Sequence, residues 1–293
     1  MASAARVKLA DIVSFAHQGR NVANYYFVPE ERGGAPVDLA WVKKTLRADM
    51  TKGIRDIYRE HSVTPVARAG SGDVLIATDQ SGFWIDPLDG GENYWHGTKS
   101  YAVVVAVVEN GVPYFGVIAL RAADAQHLSS AKGTITGGVG HPIRLGDTSP
   151  KPPKAYDPSK IRMEFSFGET SLSDDRLMEE QDALAKELKK LAEGAVNCGC
   201  VSVSAIKLLL GMTDACLALR VNKQIVGALF AIFMQSEQEE ENKPVFMVDG
   251  QPADNNIIKN LSPAGSFSLV IATQDYAKDK LQPDSPLVKF LQN

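Results

Sequence analysis

Phe83-Trp84-Ile85-Asp86-Pro87-Leu88-Asp89-Gly90-Gly91-Glu92-Asn93-Tyr94-Trp95-His96-Gly97 sets two carboxylates three residues apart at the end of a short apolar run and follows them with paired glycines. An apolar run that meets Asp-Pro reads as a buried strand stopped by a residue that cannot extend it. Asp86 is therefore expected at a strand end, with Asp89 in the turn just past it. Two hard oxygen donors this close, with the Leu88 carbonyl between them, suit Mg²⁺, which takes a few carboxylates and keeps places for water and substrate phosphate. Gly90 and Gly91 let the backbone approach an anion, and a helix beginning here would point its free N–H groups at that anion. The stretch also reads as a plain surface turn, since Asp-Pro-x-Asp-Gly is a good turn sequence.

The longer block decides between these. Trp84-Ile85-Asp86-Pro87-Leu88-Asp89-Gly90, then Asn93, the aromatic Tyr94, His96 and Gly97, resembles the first metal-binding motif of the inositol monophosphatase superfamily, which also contains the bisphosphate nucleotidases and fructose bisphosphatases. The apolar runs 101–108 and 112–120, joined by Glu109-Asn110-Gly111, resemble the strand pair that follows it. The resemblance implies an α+β fold, a layered α-β-α-β-α sandwich of the sugar-phosphatase type. Its first half would span 1–148 and its second 161–293, joined by a Pro-rich connector at 149–160 and packed as one compact unit.

What the resemblance implies for chemistry is a Mg²⁺-dependent phosphomonoesterase acting on a small phosphorylated sugar, inositol or nucleotide. Asp86 would bridge metals, Asp89 would complete the second site, and the Leu88 carbonyl would add to the first. The N–H groups of Gly90 and Gly91 would hold the phosphate. The family's second helix begins with a Thr-x-x-Asp element whose acid contacts metal-bound water, and Thr45 to Asp49 resembles it. Asp49 alone reads equally well as a helix N-cap. Thr213-Asp214-Ala215, after a helix containing Ser202 to Lys207, resembles an element through which Asp214 could bind substrate hydroxyls.

Three departures stand against an ordinary enzyme of this kind. The region where the family supplies a glutamate reads Thr64-Pro65-Val66-Ala67-Arg68-Ala69-Gly70-Ser71-Gly72 and holds no acid. The Thr or Ser expected after Asp-Gly is Gly91. In the closing Trp-Asp signature, the Trp has become Gln224 and the metal-binding acid Ile225. Asp73, Asp79 or Asp254 could replace a lost ligand, although Asp73 and Asp79, beside glycines, read first as turn residues. The alternative to a phosphatase is a catalytically impaired family member acting as a binding or scaffold protein, because losing one ligand leaves the others repelling each other.

Composition narrows the partners. With 293 residues, a net charge of −4 and a pI near 5.8, the chain has no basic field for nucleic acid or an acidic membrane. No apolar run reaches transmembrane length. Cys198, Cys200 and Cys216 lack zinc-site spacing and read as structural thiols in a reducing compartment, which points to the cytoplasm. A homodimer is an expectation carried by the family resemblance alone. Elsewhere, apolar periodicity predicts helices over 7–26, 37–61, 174–196, 200–210 and from 223, with strands over 161–167, 214–221, 245–248 and 266–273. The glycine-rich stretch 133–144, with His141-Pro142, reads as loop and turn.

Overall fold

Two amphipathic helices open the chain, α1 (Leu9–Phe27) and α2 (Leu39–Ile57). Ile12, Phe15 and Ala16 of α1, with Met50 and Ile54 of α2, close on Phe83, Ile85, Val103, Val105 and Val107 of a β-sheet. The alternate residues Ala102, Val104, Ala106 and Val108 face a second core on the other side. This is why residues 101–108 are apolar at every position: both faces of the strand are covered. The computed structural model describes residues 8–27, 38–57, 64–69, 72–78, 81–98, 100–121, 133–146, 149–150, 156–157, 162–168, 179, 182–183, 185–186, 189 and 195–292, with 57, 64–69 and 72–78 described for backbone alone.

The first sheet has seven strands in chain order: β1 (Thr64–Ala69), β2 (Gly72–Thr78), β3 (Ser81–Asp89), β4 (Tyr101–Glu109), β5 (Val112–Arg121), β6 (Thr134–Gly138) and β7 (His141–Leu145). Each pairs antiparallel with the next. The stretch expected as a loop over 133–144 is thus the closing hairpin of this sheet, and His141-Pro142 begins its last strand. Gly140, at φ 72°, makes the hairpin's turn, whereas Gly137 and Gly138 mark close packing. A Cβ at Gly138 would fall on the Tyr114 carbonyl, one at Gly137 on the Ser236 hydroxyl, and one at Gly116 of β5 on the Ala228 carbonyl. Asp73, expected in a turn, lies within β2 opposite Ile85.

The second sheet has six strands in the order β12-β11-β13-β10-β8-β9. They are β8 (Met163–Phe167), β9 (Val196–Asn197), β10 (Ala215–Asn222), β11 (Val245–Val248), β12 (Gln251–Pro252) and β13 (Ser266–Ala272). Between the sheets lie α4 (Val201–Leu209) and α5 (Lys223–Phe230), the latter continuing into a π-helical turn, Ala231–Gln235. Every residue of α5 is buried, as expected of a helix covered on all sides. The short α3 (Gly91–Trp95) follows β3, and α6 (Asn255–Asn260) precedes β13. On the outer face of the second sheet, Tyr276 of α7 (Gln274–Lys280) and Leu287 and Leu291 of α8 (Pro286–Leu291) pack on Phe165, Leu217 and Val270.

The result is the expected α-β-α-β-α layering, which places the inner helices' N-termini beside the end of β3. Positions 179, 182–183, 185–186 and 189 are helical, but the helix expected over 174–196 does not reach its expected end, because Val196 opens β9 opposite Glu164; the other residues of 174–194, Asp79 and most of the Pro-rich connector lie outside the described residues. No described helix is long and apolar enough to cross a membrane.

Candidate active site

β3 does not stop at Pro87. It runs on to Asp89, with a register shift against β4 between Asp86 and Asp89. Such a bulge leaves residues out of the ladder, so a proline there forfeits no hydrogen bond. The Leu88 N–H donates to Asp86 Oδ1 at 2.9 Å, folding the bulge back on its own carboxylate. Asp86 and Asp89 are 1% and 3% exposed, so both acids are turned into the protein.

Each acid meets the start of a buried helix. Asn222 Nδ2 donates to Asp86 Oδ2 at 2.7 Å, while Asn222 Oδ1 accepts the Ile225 N–H at 3.0 Å and caps α5. The cap fixes which end of the amide faces Asp86. Asp89 Oδ2 accepts the Ser202 N–H at 2.7 Å and the Cys200 thiol at 3.3 Å, so Asp89 serves as the side-chain cap that Cys200 does not supply to α4. Two negative groups at two helix N-termini are favourably placed against the helix dipoles.

Burial, and after it the charge of Asp86, pushes the Asp89 carboxyl above its ordinary value, while the bonds from Ser202 and Cys200 pull it back. Burial, then Asp89, likewise pushes the Cys200 thiol up; Cys198, partly buried and beside Glu164, rises to about 11. All three cysteines are free and, protonated, act as packing groups.

Past the bulge, Gly90 takes φ 81°, and a Cβ there would meet the Ser100 carbonyl at 2.7 Å, so the turn requires glycine. Asn93 Nδ2 donates to the Ser100 and Cys198 carbonyls, both at 2.9 Å, tying α3 to the approach of α4. Tyr94 is buried against Phe27 and Tyr101, its hydroxyl on the Ala23 carbonyl at 2.9 Å. The motif's Asn and aromatic residue therefore hold the acids' platform rather than face a ligand.

The sequence matches the description "Inositol monophosphatase family" over residues 28–225. The chain belongs to the inositol monophosphatase family. Its fold is similar to that of inositol monophosphatase from Anabaena (Nostoc) sp. PCC 7120, with 18% identity, 92% of each chain covered and a TM-score of 0.63. It is also similar to inositol monophosphatase II from Staphylococcus aureus MSSA476 (16%, 97% of each chain, 0.64). An inositol monophosphatase from Zymomonas mobilis gives 15% identity and a TM-score of 0.63, over 98% of this chain and 100% of the other. A comparison with curated protein sequences finds no match.

Among inositol monophosphatase family features expected here, the structure brings together Asp86, Leu88, Asp89, Gly90 and Gly91 and leaves two acids elsewhere. Asp49 is exposed and is the eleventh residue of α2. The charged α2 side chain that reaches Gly91 is Lys43, and six helical residues from it is about 9 Å along the axis and about 240° round. Nor does Asp49 cap the helix: Asp38 does, its Oδ1 accepting the Trp41 N–H at 2.9 Å. Asp214 directly precedes β10 and is consumed by Arg162, whose N–H and guanidinium meet its two oxygens at 2.9 and 3.3 Å. Eight residue steps along the strand, at most roughly 26 Å, separate it from Asn222 at the other end. Asp254 is exposed and caps α6.

Ile225, 1% exposed in the first turn of α5, stands where the family's closing acid was expected. Among the described residues, no group of three or more His, Cys, Asp or Glu side chains could hold a metal. The donors present fit one divalent cation: two buried acids in one bulge, with the buried Ser202 hydroxyl beside Asp89 lacking any hydrogen-bond partner. They do not fit a second ion, because Ile225 has no donor to offer. Sequence reasoning missed Asn222 and Lys43. An Asn directly before Lys223-Gln224 and the apolar run that opens at Ile225 is an N-cap signal that could have found the first.

Proposed function

We propose that the chain is a magnesium-dependent phosphomonoesterase that takes a small phosphorylated sugar, inositol or nucleotide at the Asp86–Asp89 bulge. One observation carries this reading. Two buried carboxylates share one bulge, and the charge of Asp86 helps push Asp89 up, a conflict that a bound cation relieves. Asp86, Asp89 and the Leu88 carbonyl would hold a single magnesium ion, which when bound supplies positive charge to the phosphate and acidifies water.

The chain's own residues do the positioning. Asn222 and the Leu88 N–H orient Asp86, and the Ser202 N–H orients Asp89 through Oδ2. Asp89 Oδ1, which accepts no bond from a described residue, is the oxygen left for a ligand. The Gly90 and Gly91 backbone would meet the phosphoryl oxygens. In the hydrolysis, water oxygen bonds to phosphorus and gives up a proton, the ester P–O bond breaks, and the leaving alkoxide takes up that proton. Cytoplasmic location and self-association as a homodimer belong to the same proposal; three free thiols support the first, the family resemblance the second.

Ile225 favours a second reading, a family member of impaired catalysis that binds a phosphorylated metabolite or a partner on the same fold. Phosphate release from a mixed panel of inositol, sugar and nucleoside phosphates, with Mg²⁺ or EDTA, separates the two. Turnover that needs Mg²⁺ and disappears in Asp86→Asn is the expected result. Release no greater than that of Asp86→Asn on every substrate would overturn the phosphatase reading in favour of the second.

A further inference from the structure

Position 91 carries only a hydrogen where the resemblance leads one to expect a hydroxyl-bearing side chain, yet the space beside it is taken. Lys43 Cε and Nζ each lie 3.2 Å from where a Gly91 Cβ would stand, and Leu39 Cδ2 lies 3.4 Å from it. Leu39 and Lys43 are four residues apart on α2 and so share a face. Leu39 packs on a core that includes Val42, Leu46, Leu88 and Tyr94, which anchors that face against the bulge and α3. The lysine stem is partly buried, and its ammonium makes no ion pair or hydrogen bond with a described residue.

A partly sheltered ammonium without a carboxylate on it, set against the residue two positions beyond Asp89, is a charge that an anion would complete. The glycine is what admits it, since a side chain at 91 would press on the lysine tip. We propose that Lys43 binds the phosphoryl group of the substrate, taking over at Gly91 from the missing hydroxyl. The inference rests on the phosphatase reading, and it adds a cation of the chain's own to a site that has lost a metal-binding acid. The ligand class it selects is a phosphomonoester dianion, whose oxygens can accept from the ammonium.

The test is calorimetric titration of inorganic phosphate, with Mg²⁺ present, into the full chain and into Lys43→Met, Lys43→Arg and Gly91→Thr, with phosphate-ester hydrolysis measured in parallel. Methionine keeps the apolar stem, so its melting temperature should match that of the parent; a role limited to packing would survive the change. Phosphate affinity should fall about ten- to a hundredfold in Lys43→Met, the loss expected for a charge-assisted bond, and largely return in Lys43→Arg. Gly91→Thr should weaken binding by displacing the lysine. Unchanged affinity in Lys43→Met, or no phosphate binding by the parent chain, overturns the assignment. A parent that binds phosphate through Lys43 but hydrolyses no ester overturns the phosphatase reading and leaves Lys43 standing. Hydrolysis with the same kcat/KM and phosphate affinity in Lys43→Met does the reverse.

Discussion

Asn222 Nδ2 donates to Asp86 Oδ2 at 2.7 Å while the other end of the same amide caps the helix that begins at Lys223. One side chain thus couples the bulge of the first sheet to the layer between the sheets. Asn222→Ala removes both functions, a cap worth about 1 kcal/mol and a bond to a buried charge worth about 1.5–3 kcal/mol, so the loss in stability should be about 2–4 kcal/mol. Asn222→Asp keeps the cap and sets a carboxylate against Asp86; its melting temperature should drop in EDTA and recover with Mg²⁺. Urea unfolding of both variants, with and without the ion, checks this. Recovery in Asn222→Ala as well as in Asn222→Asp would mean that the ion does not read the acids at this contact.

Asp89 gives a pH dependence of definite sign. Its folded carboxyl titrates above its unfolded value, chiefly through burial and then through Asp86. The folded state therefore holds the extra proton, and the stability this confers is present in acid and lost as pH rises through the folded pKa. Asp89→Asn cannot ionise and can still accept from Ser202 and Cys200. Without divalent ions it should melt above the parent chain at pH 7, with the gap closing toward pH 4. Melting curves across that range decide it, and a variant that melts lower at neutral pH would show that the ionised acid stabilises the fold.

The layers were legible in the sequence because their signal is redundant: unbroken apolarity in residues 101–108, and again from Ile225 to Phe233 with only Gly227 between, states how many sides of an element are covered. The acid pair was legible because both residues lie within one bulge, so their proximity is local. Asp49 was not correctly placed, because that depended on where α2 starts, and Asp38 caps it well before Asp49 is reached. The hairpin at 134–145 was missed because glycine marks a turn and a close backbone approach alike, and only Tyr114, Ala228 and Ser236, distant in sequence, reveal which. Asp214 could be read as a ligand only while Arg162 was not known to stand against it.

Lys223 should make stability rise with pH on the alkaline side. It is 6% exposed, with Nζ on the Leu261 carbonyl at 2.7 Å and 4.4 Å above the Trp84 ring. Burial brings its amine down to about 8 from 10.5. Between those values the unfolded chain holds the proton that the folded one has released, so unfolding becomes harder as pH climbs through the window. The carbonyls and the indole face favour the ammonium and make the slope shallower than burial alone would give. Urea midpoints from pH 7.5 to 10.5 should rise for the parent chain relative to Lys223→Met. Parallel profiles would show that the carbonyls and indole cancel the burial penalty.

Ile225→Asp tests whether the lost acid is what separates this chain from a two-ion site. The side chain is 1% exposed in the first turn of α5, so a carboxylate there would be buried without a built counter-charge. In EDTA the variant should lose about 3–5 kcal/mol, the usual penalty for an uncompensated buried charge. With the introduced carboxylate joining Asp86 and Asp89, Mg²⁺ should restore most of that loss and bind more tightly than to the parent chain. If the surrounding residues still position a phosphate ester, hydrolysis should rise at least about tenfold, which corresponds to only about 1.4 kcal/mol of barrier. Differential scanning calorimetry in EDTA and in Mg²⁺, run beside phosphate release, reads both effects. Rescue without added turnover would place the catalytic deficit upstream, in the acid-free stretch at 64–69, whereas destabilisation that Mg²⁺ leaves untouched would show that α5 no longer presents position 225 to the Asp86–Asp89 bulge.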